Sequence, residues 1–131
     1  MSEYNFKKFT KRGSKLGNYS ISVTSSYSFG LNSGFYSKEV IKQYKKVVLF
    51  YDKAKNAVAF HFTNDEDAEG AFTVVHHNTG TTGSITARSF FIENEINKKE
   101  LVGRKIPQKI QDEEFGLLYV MQLLEQIANK L

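Results

Sequence analysis

The chain has 131 residues, 40% hydrophobic and 24% charged, which is the composition of one soluble globular domain. The absence of cysteine excludes disulfides, zinc–thiolate sites and thiol nucleophiles, and it suits a reducing cytoplasm. No stretch has the apolar length of a membrane span, and the first residues lack the hydrophobic region of a signal peptide. We therefore expect one cytoplasmic domain, residues 19–131, preceded by a basic arm, residues 1–18.

The net charge of +4 is unevenly distributed along the chain. Residues 1–60 contain eleven Lys or Arg and three Asp or Glu, whereas residues 61–131 contain seven and eleven. A positive first half suggests an anionic partner, most simply DNA or RNA. A basic surface that only aids solubility is an equal alternative on charge alone.

The N-terminal arm combines cations with aromatic residues and glycine. This composition suits contacts with phosphates, with rings available to stack on exposed bases. An ordinary frayed terminus explains the same composition equally well. The predicted phosphate-contacting residues of the arm are Lys7, Lys8, Lys11, Arg12 and Lys15.

Alternating apolar and polar residues predict two short strands after the arm. The first covers Tyr19–Thr24 and the second Tyr27–Leu31, with a two-serine turn between them. The Asn-Ser-Gly sequence at 32–34 predicts the start of a short helix. Its expected apolar side contains Phe35, Tyr36, Val40, Ile41 and Tyr44. The lysines left for solvent or ligand, which extend the predicted phosphate-contacting set, are Lys38, Lys42, Lys45 and Lys46.

The segment Val47–Asn64 predicts a hairpin, because the apolar runs Val47–Tyr51 and Ala57–Thr63 flank a polar turn. Both faces of this strand pair are largely apolar, so we expect it at the centre of a sheet or at a subunit interface. The acidic run Asp65–Gly70 has the early spacing of a calcium-binding loop but lacks the bidentate glutamate that ends one. It predicts an acidic turn and no metal site.

Two further strands are predicted at Ala71–His77 and Ser84–Arg88, on either side of a loop rich in glycine and hydroxyl groups. Ser89 is a candidate cap for a short helix. Residues 97–111 predict a polar connector, although they form a second basic segment that includes Arg104 and Lys105.

The last segment, Asp112–Leu131, has apolar residues at helical spacing, including Leu117, Met121 and Leu124. A helix is the preferred interpretation, and a strand over Gly116–Gln122 is the alternative. The expected fold is α+β: a twisted, mainly antiparallel sheet of about six strands, a short helix after the second strand, and a C-terminal helix packed on the sheet.

No residue pattern indicates catalysis. His61, His76 and His77 do not have metal-ligand spacing, and neither a serine elbow nor a phosphate-binding lysine loop occurs. The carboxylates occur in runs typical of a solvated surface and not singly among apolar residues. We therefore expect no enzyme activity, no cofactor and no metal; a hydrolase whose residues are brought together only by the fold is the third alternative.

One arrangement of elements is formed by Ile21-Ser22-Val23, Phe29-Gly30-Leu31-Asn32, the helix to Tyr44, and the sequences VVLFYD and AVAFHF. Over residues 19–63 it resembles the AbrB/SpoVT/MazE type of small prokaryotic DNA-binding domain. The resemblance implies an intertwined homodimer that sets a basic face on DNA. The longer pattern looks like small uncharacterised prokaryotic or phage proteins. The contacts implied by the resemblance lie around Ser22, Thr24, Ser25, Ser26, Tyr27 and Ser28.

These observations favour a small, dimeric nucleic-acid-binding protein, either a DNA-binding transcription regulator or a single-strand binder. Tyr27 is a candidate for stacking on bases, together with Tyr19 and Phe9. The alternative is a protein-interaction module, such as a phage inhibitor or an assembly subunit, with an acidic partner protein. Its interface would be the second apolar face of Val47–Thr63 or the apolar seam Leu117–Leu131.

Overall fold

A computed structural model describes residues 19–96 and 102–123 of the chain. Within these residues, ten strands form two five-stranded antiparallel sheets, accompanied by two six-residue α-helices and a 3₁₀ turn at Ile41–Gln43. The strands are β1 (Ile21–Val23), β2 (Ser28–Leu31), β3 (Lys46–Asp52), β4 (Ala57–Thr63), β5 (Phe72–Thr73), β6 (Val75–His76), β7 (Gly83–Thr86), β8 (Gly103–Lys105), β9 (Gln108–Asp112) and β10 (Gly116–Gln122). The α-helices are α1 (Ser33–Lys38) and α2 (Arg88–Glu93).

The chain itself joins the two sheets at both edges. Sheet A has the strand order β6-β7-β2-β1-β8, and sheet B has the order β5-β3-β4-β10-β9. Only Val74 separates β5 from β6, and only Ile106 and Pro107 separate β8 from β9. Val74 and Pro107 are both buried, so each corner is part of the core. The corners limit the open edges that unpaired strands would otherwise present.

Aromatic side chains fill the space between the sheets. Phe29 of sheet A meets Phe60 of sheet B edge to face, with ring centroids 4.9 Å apart, and Phe91 of α2 lies 5.0 Å from Phe29. On the other side, Phe35 of α1 packs 5.1 Å from Tyr119 of β10. All five rings are buried, and such pairs add stability beyond the area that they remove from water.

The predicted hairpin Val47–Asn64 is confirmed. β3 and β4 pair from Lys46 opposite Thr63 to Asp52 opposite Ala57, and β4 lies in the middle of sheet B. The predicted strands near residues 19–24, 27–31 and 84–88 are also present, with slightly different ends.

The expected α+β fold is wrong, because the described residues are mostly β and form two sheets. The predicted C-terminal helix is wrong over Gly116–Gln122, which is strand β10, the alternative interpretation. β10 lies between β4 and β9, so Leu117 and Tyr119 face the core while Leu118 covers the outer face. A strand with apolar residues on both faces produces the continuous apolar stretch that resembled a helix. Residues 124–131 lie outside the described residues.

Three smaller predictions also differ from the structure. Residues 103–111, part of the predicted connector 97–111, form β8 and most of β9 around the buried Pro107. The predicted strand Ala71–His77 divides at Val74 because its two halves belong to different sheets. Ser89 lies inside α2, whose cap position is Ala87. The described part of the chain contains no helix long and apolar enough to cross a membrane.

The predicted first helix is shorter than expected. α1 ends at Lys38, and Val40 adopts a left-handed conformation, with φ of 53°, before the 3₁₀ turn. Val40 therefore points outward and is 54% exposed, although its spacing placed it on the apolar side. Asn32 occupies the cap position, but its side chain does not cap the helix. Its amide instead donates hydrogen bonds to the hydroxyls of Ser20, directly before β1, and of Ser22, within β1.

Candidate functional site

The outer face of sheet B, the face directed away from the core, is recessed at its centre. Residues paired across antiparallel strands share a face. One row across the sheet is therefore Phe50, Ala59, Val120 and Gln108, on β3, β4, β10 and β9. The neighbouring row contains Ala57 on β4. The two alanines are small, whereas the flanking residues are large, so the middle of this face is recessed.

Two adjoining cavities lie along this recess. One has a volume of about 670 Å³ and the other about 410 Å³. They share Lys55, Ala57 and Val120 as lining residues, so they form one continuous depression, which we call the sheet B groove. Each of the two cavity volumes is in the range of ligand-binding pockets.

One side of the sheet B groove is basic. Lys55, Arg104 and Lys105 line the larger cavity together with the amides Gln108 and Gln122. Lys55 comes from the β3–β4 turn, and Arg104 and Lys105 come from β8. Gln108 is the first residue of β9, and Gln122 is the last residue of β10. The two sheets thus contribute to one site, because the β8–β9 corner brings Arg104 and Lys105 next to sheet B.

Local hydrogen bonds hold the turn that carries Lys55. Asn56 adopts a left-handed conformation with φ of 52°, and its side-chain oxygen accepts a hydrogen bond from the Tyr51 hydroxyl at 2.7 Å. The backbone N–H of Lys55 donates to the Asp52 carboxylate at 3.1 Å. Asparagine tolerates this conformation better than most residues, which explains its place in the turn.

The cations of the groove are not neutralised by the described part of the protein. Lys55, Arg104 and Lys105 form no ion pair there, and no carboxylate lines the larger cavity. Like charges around one concave surface repel each other and produce a focused positive potential. A bound anion would remove this repulsion. Gln108 and Gln122 add neutral donors and acceptors beside the charges.

The other side of the groove is aromatic and apolar. The rings of Phe50 and Phe115 lie 4.7 Å apart at an angle of 45°. Phe115 is 43% exposed and Ile110 is 38% exposed, which leaves both available for contact. Phe115 is held in the β9–β10 turn because the Asp112 carboxylate accepts the backbone N–H groups of Glu114 and Phe115, each at 2.9 Å.

Three of the four lysines predicted from the first helix, Lys42, Lys45 and Lys46, lie at the other end of β3 from Lys55. Because β3 has seven residues, the two basic groups are about 20 Å apart along the strand. Lys42 and Lys45 are exposed, Lys46 lies 3.4 Å from the Thr73 hydroxyl, and Lys38 stacks on the Tyr19 ring. The sequence therefore located one basic region and missed the basic side of the groove.

Tyr27 and the arm residues are not part of the sheet B groove. The Tyr27 ring packs 6.0 Å from Phe91 and lies under the guanidinium of Arg88, on the sheet A side. The predicted arm residues, which are Lys7, Lys8, Lys11, Arg12 and Lys15, lie outside the described residues. Arg104 and Lys105 were recognised from the sequence as part of a second basic segment but were not predicted as site residues, although they directly precede the apolar Ile106 and the only proline.

A second polar cluster surrounds Glu39, a buried carboxylate at the end of α1. It accepts hydrogen bonds from the Tyr19 hydroxyl at 2.8 Å and the Tyr119 hydroxyl at 2.9 Å, and Lys109 lies 2.9 Å away. These partners belong to β9, β10 and the residues before β1. The carboxylate therefore links α1 to both sheets. The sequence did not single out Glu39, which stands alone among lysines and apolar residues.

The pKa values in this cluster follow from burial and hydrogen bonding. Burial by itself raises the pKa of Glu39, but the hydrogen bonds from Lys109, Tyr19 and Tyr119 outweigh it, so its pKa lies below the usual range. Burial, followed by the bond to Glu39, raises the pKa of both tyrosines. The carboxylate is thus ionised and both hydroxyls are protonated at neutral pH. With every oxygen bonded, the cluster is a structural anchor.

The histidines bond to neighbouring groups within the protein. His76 lies 2.7 Å from the Tyr44 carbonyl through Nε2 and 2.6 Å from the Tyr36 hydroxyl through Nδ1. His77 lies 2.7 Å from the Thr82 hydroxyl. Within residues 19–96 and 102–123, no three potential metal ligands come together.

No protein-family model, no curated protein and no solved structure matches this chain.

Proposed function

We propose that this protein binds nucleic acid, with the sheet B groove as its contact surface. The observation that carries the proposal is the set of three cations, Lys55, Arg104 and Lys105, which form no ion pair within the described residues and line the larger cavity of the groove, where no described carboxylate lies. Phosphate groups supply regularly spaced negative charge that such a set can neutralise, with release of counterions. Arginine adds a planar, bidentate donor for phosphate oxygens.

The lysines of the first half extend this proposal. Lys42, Lys45 and Lys46 give a second basic region at the far end of β3, which a longer nucleic acid would reach, and Lys38 on α1 remains a predicted contact. The arm residues Lys7 to Lys15 remain predicted phosphate contacts. A homodimer and a cytoplasmic location also remain predictions.

The test measures binding of a fluorescent oligonucleotide of about 16 nucleotides, the upper site size of common single-strand-binding folds. The variant Lys55→Gln/Arg104→Gln/Lys105→Gln removes the basic side of the groove. If three single-strand phosphate contacts are lost, the slope of log affinity against log salt falls in magnitude by about 2. The wild-type advantage should then shrink as salt rises from about 50 to 200 mM.

The matched control is Lys42→Gln/Lys45→Gln/Lys46→Gln, which removes the same charge from the other basic region. We expect a smaller loss of affinity for this variant than for the groove variant. Equal losses would mean that net charge, and not the groove, determines binding. Absence of binding to single- and double-stranded oligonucleotides at low salt would refute the proposal.

The alternative partner is an acidic protein, and polyglutamate of the same total charge represents it. Polyglutamate carries the charge without phosphates or bases. If it competes as well as the oligonucleotide, the groove is a site for acidic polypeptides and the nucleic-acid proposal is wrong.

A further inference from the structure

The two sides of the sheet B groove are chemically different, and this difference points to a ligand that is also two-sided. The cations Lys55, Arg104 and Lys105 lie beyond the end of β3, the start of β9 and the end of β10. Ile110 and Leu118 lie one row further from the cations than Ala59 and Val120, and Phe50 ends the row of Ala59 and Val120 on β3. The charged side therefore runs across the strands at one end of the floor, whereas the ring side lies at the opposite end and along the β3 edge. The floor between them consists of Ala57, Ala59 and Val120.

We infer that the groove binds single-stranded nucleic acid, laid across the strands with its phosphates on the basic side and its bases on the ring side. The inference rests on the proposed function and names its ligand class. A duplex keeps the faces of its bases stacked inside, so Phe50 and Phe115 would meet no partner. A single strand exposes those faces, and aromatic rings bind them with little sequence preference.

The dimensions of the face agree with such a ligand. From β3 to β9 the sheet crosses three strand spacings, which is about 14 Å. Four-stranded sheets with exposed aromatic residues stack roughly two or three bases over a face of this kind. Gln108 and Gln122 lie between the two sides, where amides can bond to base edges.

Phe115 borders the groove through its contact with Phe50, which lines the smaller cavity, and it is the ring best placed to stack. It is 43% exposed, and its backbone position is fixed by the Asp112 carboxylate. Phe50 supports it from the floor at 4.7 Å. Two carboxylates also line the smaller cavity. Asp52 lies at the end of β3 beside the turn that carries Lys55, and Asp112 lies at the end of β9. Each accepts hydrogen bonds from backbone N–H groups within its own turn, which offsets part of its negative charge.

The experiment compares a single-stranded oligonucleotide with an abasic strand that has the same phosphates. The intact protein should bind the normal strand about tenfold or more tightly than the abasic strand, since each stacked base contributes to affinity. Phe115→Ala should remove most of this difference and leave the salt slope unchanged. Phe115→Leu is the matched control, because it keeps an apolar side chain but has no ring face.

A second variant tests the groove itself. Ala59→Leu fills the floor without removing a contact, and it should weaken the normal strand more than the abasic strand. Thermal unfolding of all three variants verifies that the fold is intact. Equal binding of normal and abasic strands by the wild-type protein would overturn the inference and leave the proposed function standing. Tighter binding of duplex than of single strand would also overturn it. If the wild-type protein bound no nucleic acid at all, the proposed function would be refuted instead.

Discussion

The buried carboxylate of Glu39 provides the sharpest test of how this fold is stabilised. Glu39→Gln keeps the shape of the side chain and removes its charge. The variant replaces bonds to a carboxylate from Tyr19, Tyr119 and Lys109 with bonds to a neutral amide. Since these bonds link α1 to the sheets, we expect the whole domain to lose stability.

The magnitude follows from the three contacts. A hydrogen bond to a charged group contributes about 1 kcal/mol more than one between neutral groups. Two bonds are from tyrosine hydroxyls, and the carboxylate side chain is only 4% exposed, so each counts in full. Lys109 is 53% exposed, so solvent screens the ion pair and its contribution is at most about 1 kcal/mol. The expected loss is about 2–3 kcal/mol, which lowers the melting temperature by roughly 6–12 °C.

The dependence on pH has a definite sign. The pKa of Glu39 is lower in the folded protein than in the unfolded chain. Its ionised form therefore stabilises the fold at pH values above the ordinary glutamate pKa, and this contribution is lost as the pH falls through the folded value. Glutamine does not titrate. The difference in unfolding free energy between the wild type and Glu39→Gln should narrow as the pH falls through this window.

Denaturant unfolding at neutral and acidic pH measures both effects. The control is Glu93→Gln, the same chemical change at an exposed position of α2. If Glu39→Gln is no less stable than Glu93→Gln at neutral pH, the bonds to Glu39 contribute nothing and the reasoning is wrong. If the difference in unfolding free energy between the wild type and Glu39→Gln stayed constant into the acidic range, the effect could not be assigned to the ionised carboxylate.

Two backbone predictions can be checked by the same unfolding measurements. Val40→Asn should stabilise the protein by about 1 kcal/mol, because Val40 is exposed and adopts a left-handed conformation that β-branched residues disfavour; a loss of stability would show that its side chain has an unrecognised role. Gly83→Ala should destabilise the protein by about 1–3 kcal/mol, because a Cβ there would lie 2.9 Å from the Val75 carbonyl oxygen and 3.1 Å from the Tyr36 ring. Gly30→Ala is its control, since its nearest contact would be 3.6 Å away, and we expect little change or a small gain. Equal effects at the two glycines would contradict the packing argument.

The sequence predicted the parts of the fold that depend on neighbouring residues. The hairpin β3–β4 was predicted from two apolar runs around a polar turn, and β1 and β2 from simple alternation. In each case the strand partner is close in sequence, so the local pattern contains most of the information.

The sequence failed where the partner is distant. Gly116–Gln122 is a strand because β4, more than fifty residues earlier, and β9 flank it on both sides. Leu117 and Met121 are four residues apart, a spacing that fits one side of a helix and one face of a strand equally well. Only the available partners decide between these structures, and they are not visible in the local pattern.

The candidate site shows the same division. Basic residues before the hairpin and an apolar outer face on Val47–Thr63 were both evident in the sequence, because charge and periodicity are properties of residue order. The sequence did not show that these two features combine in one groove. Arg104 and Lys105 reach the outer face of sheet B only because Ile106 and Pro107 lead the chain from one sheet to the other.

The sequence by itself thus determined a β-rich domain, its central hairpin and its excess of positive charge in the first half. The tertiary structure decided that there are two sheets, that β10 is a strand, and that Lys55 shares one groove with Arg104 and Lys105. The physical reason is the length scale of each interaction. Alternation and turn chemistry act within a few residues, whereas strand order and the convergence of charges depend on segments that meet only in the folded chain.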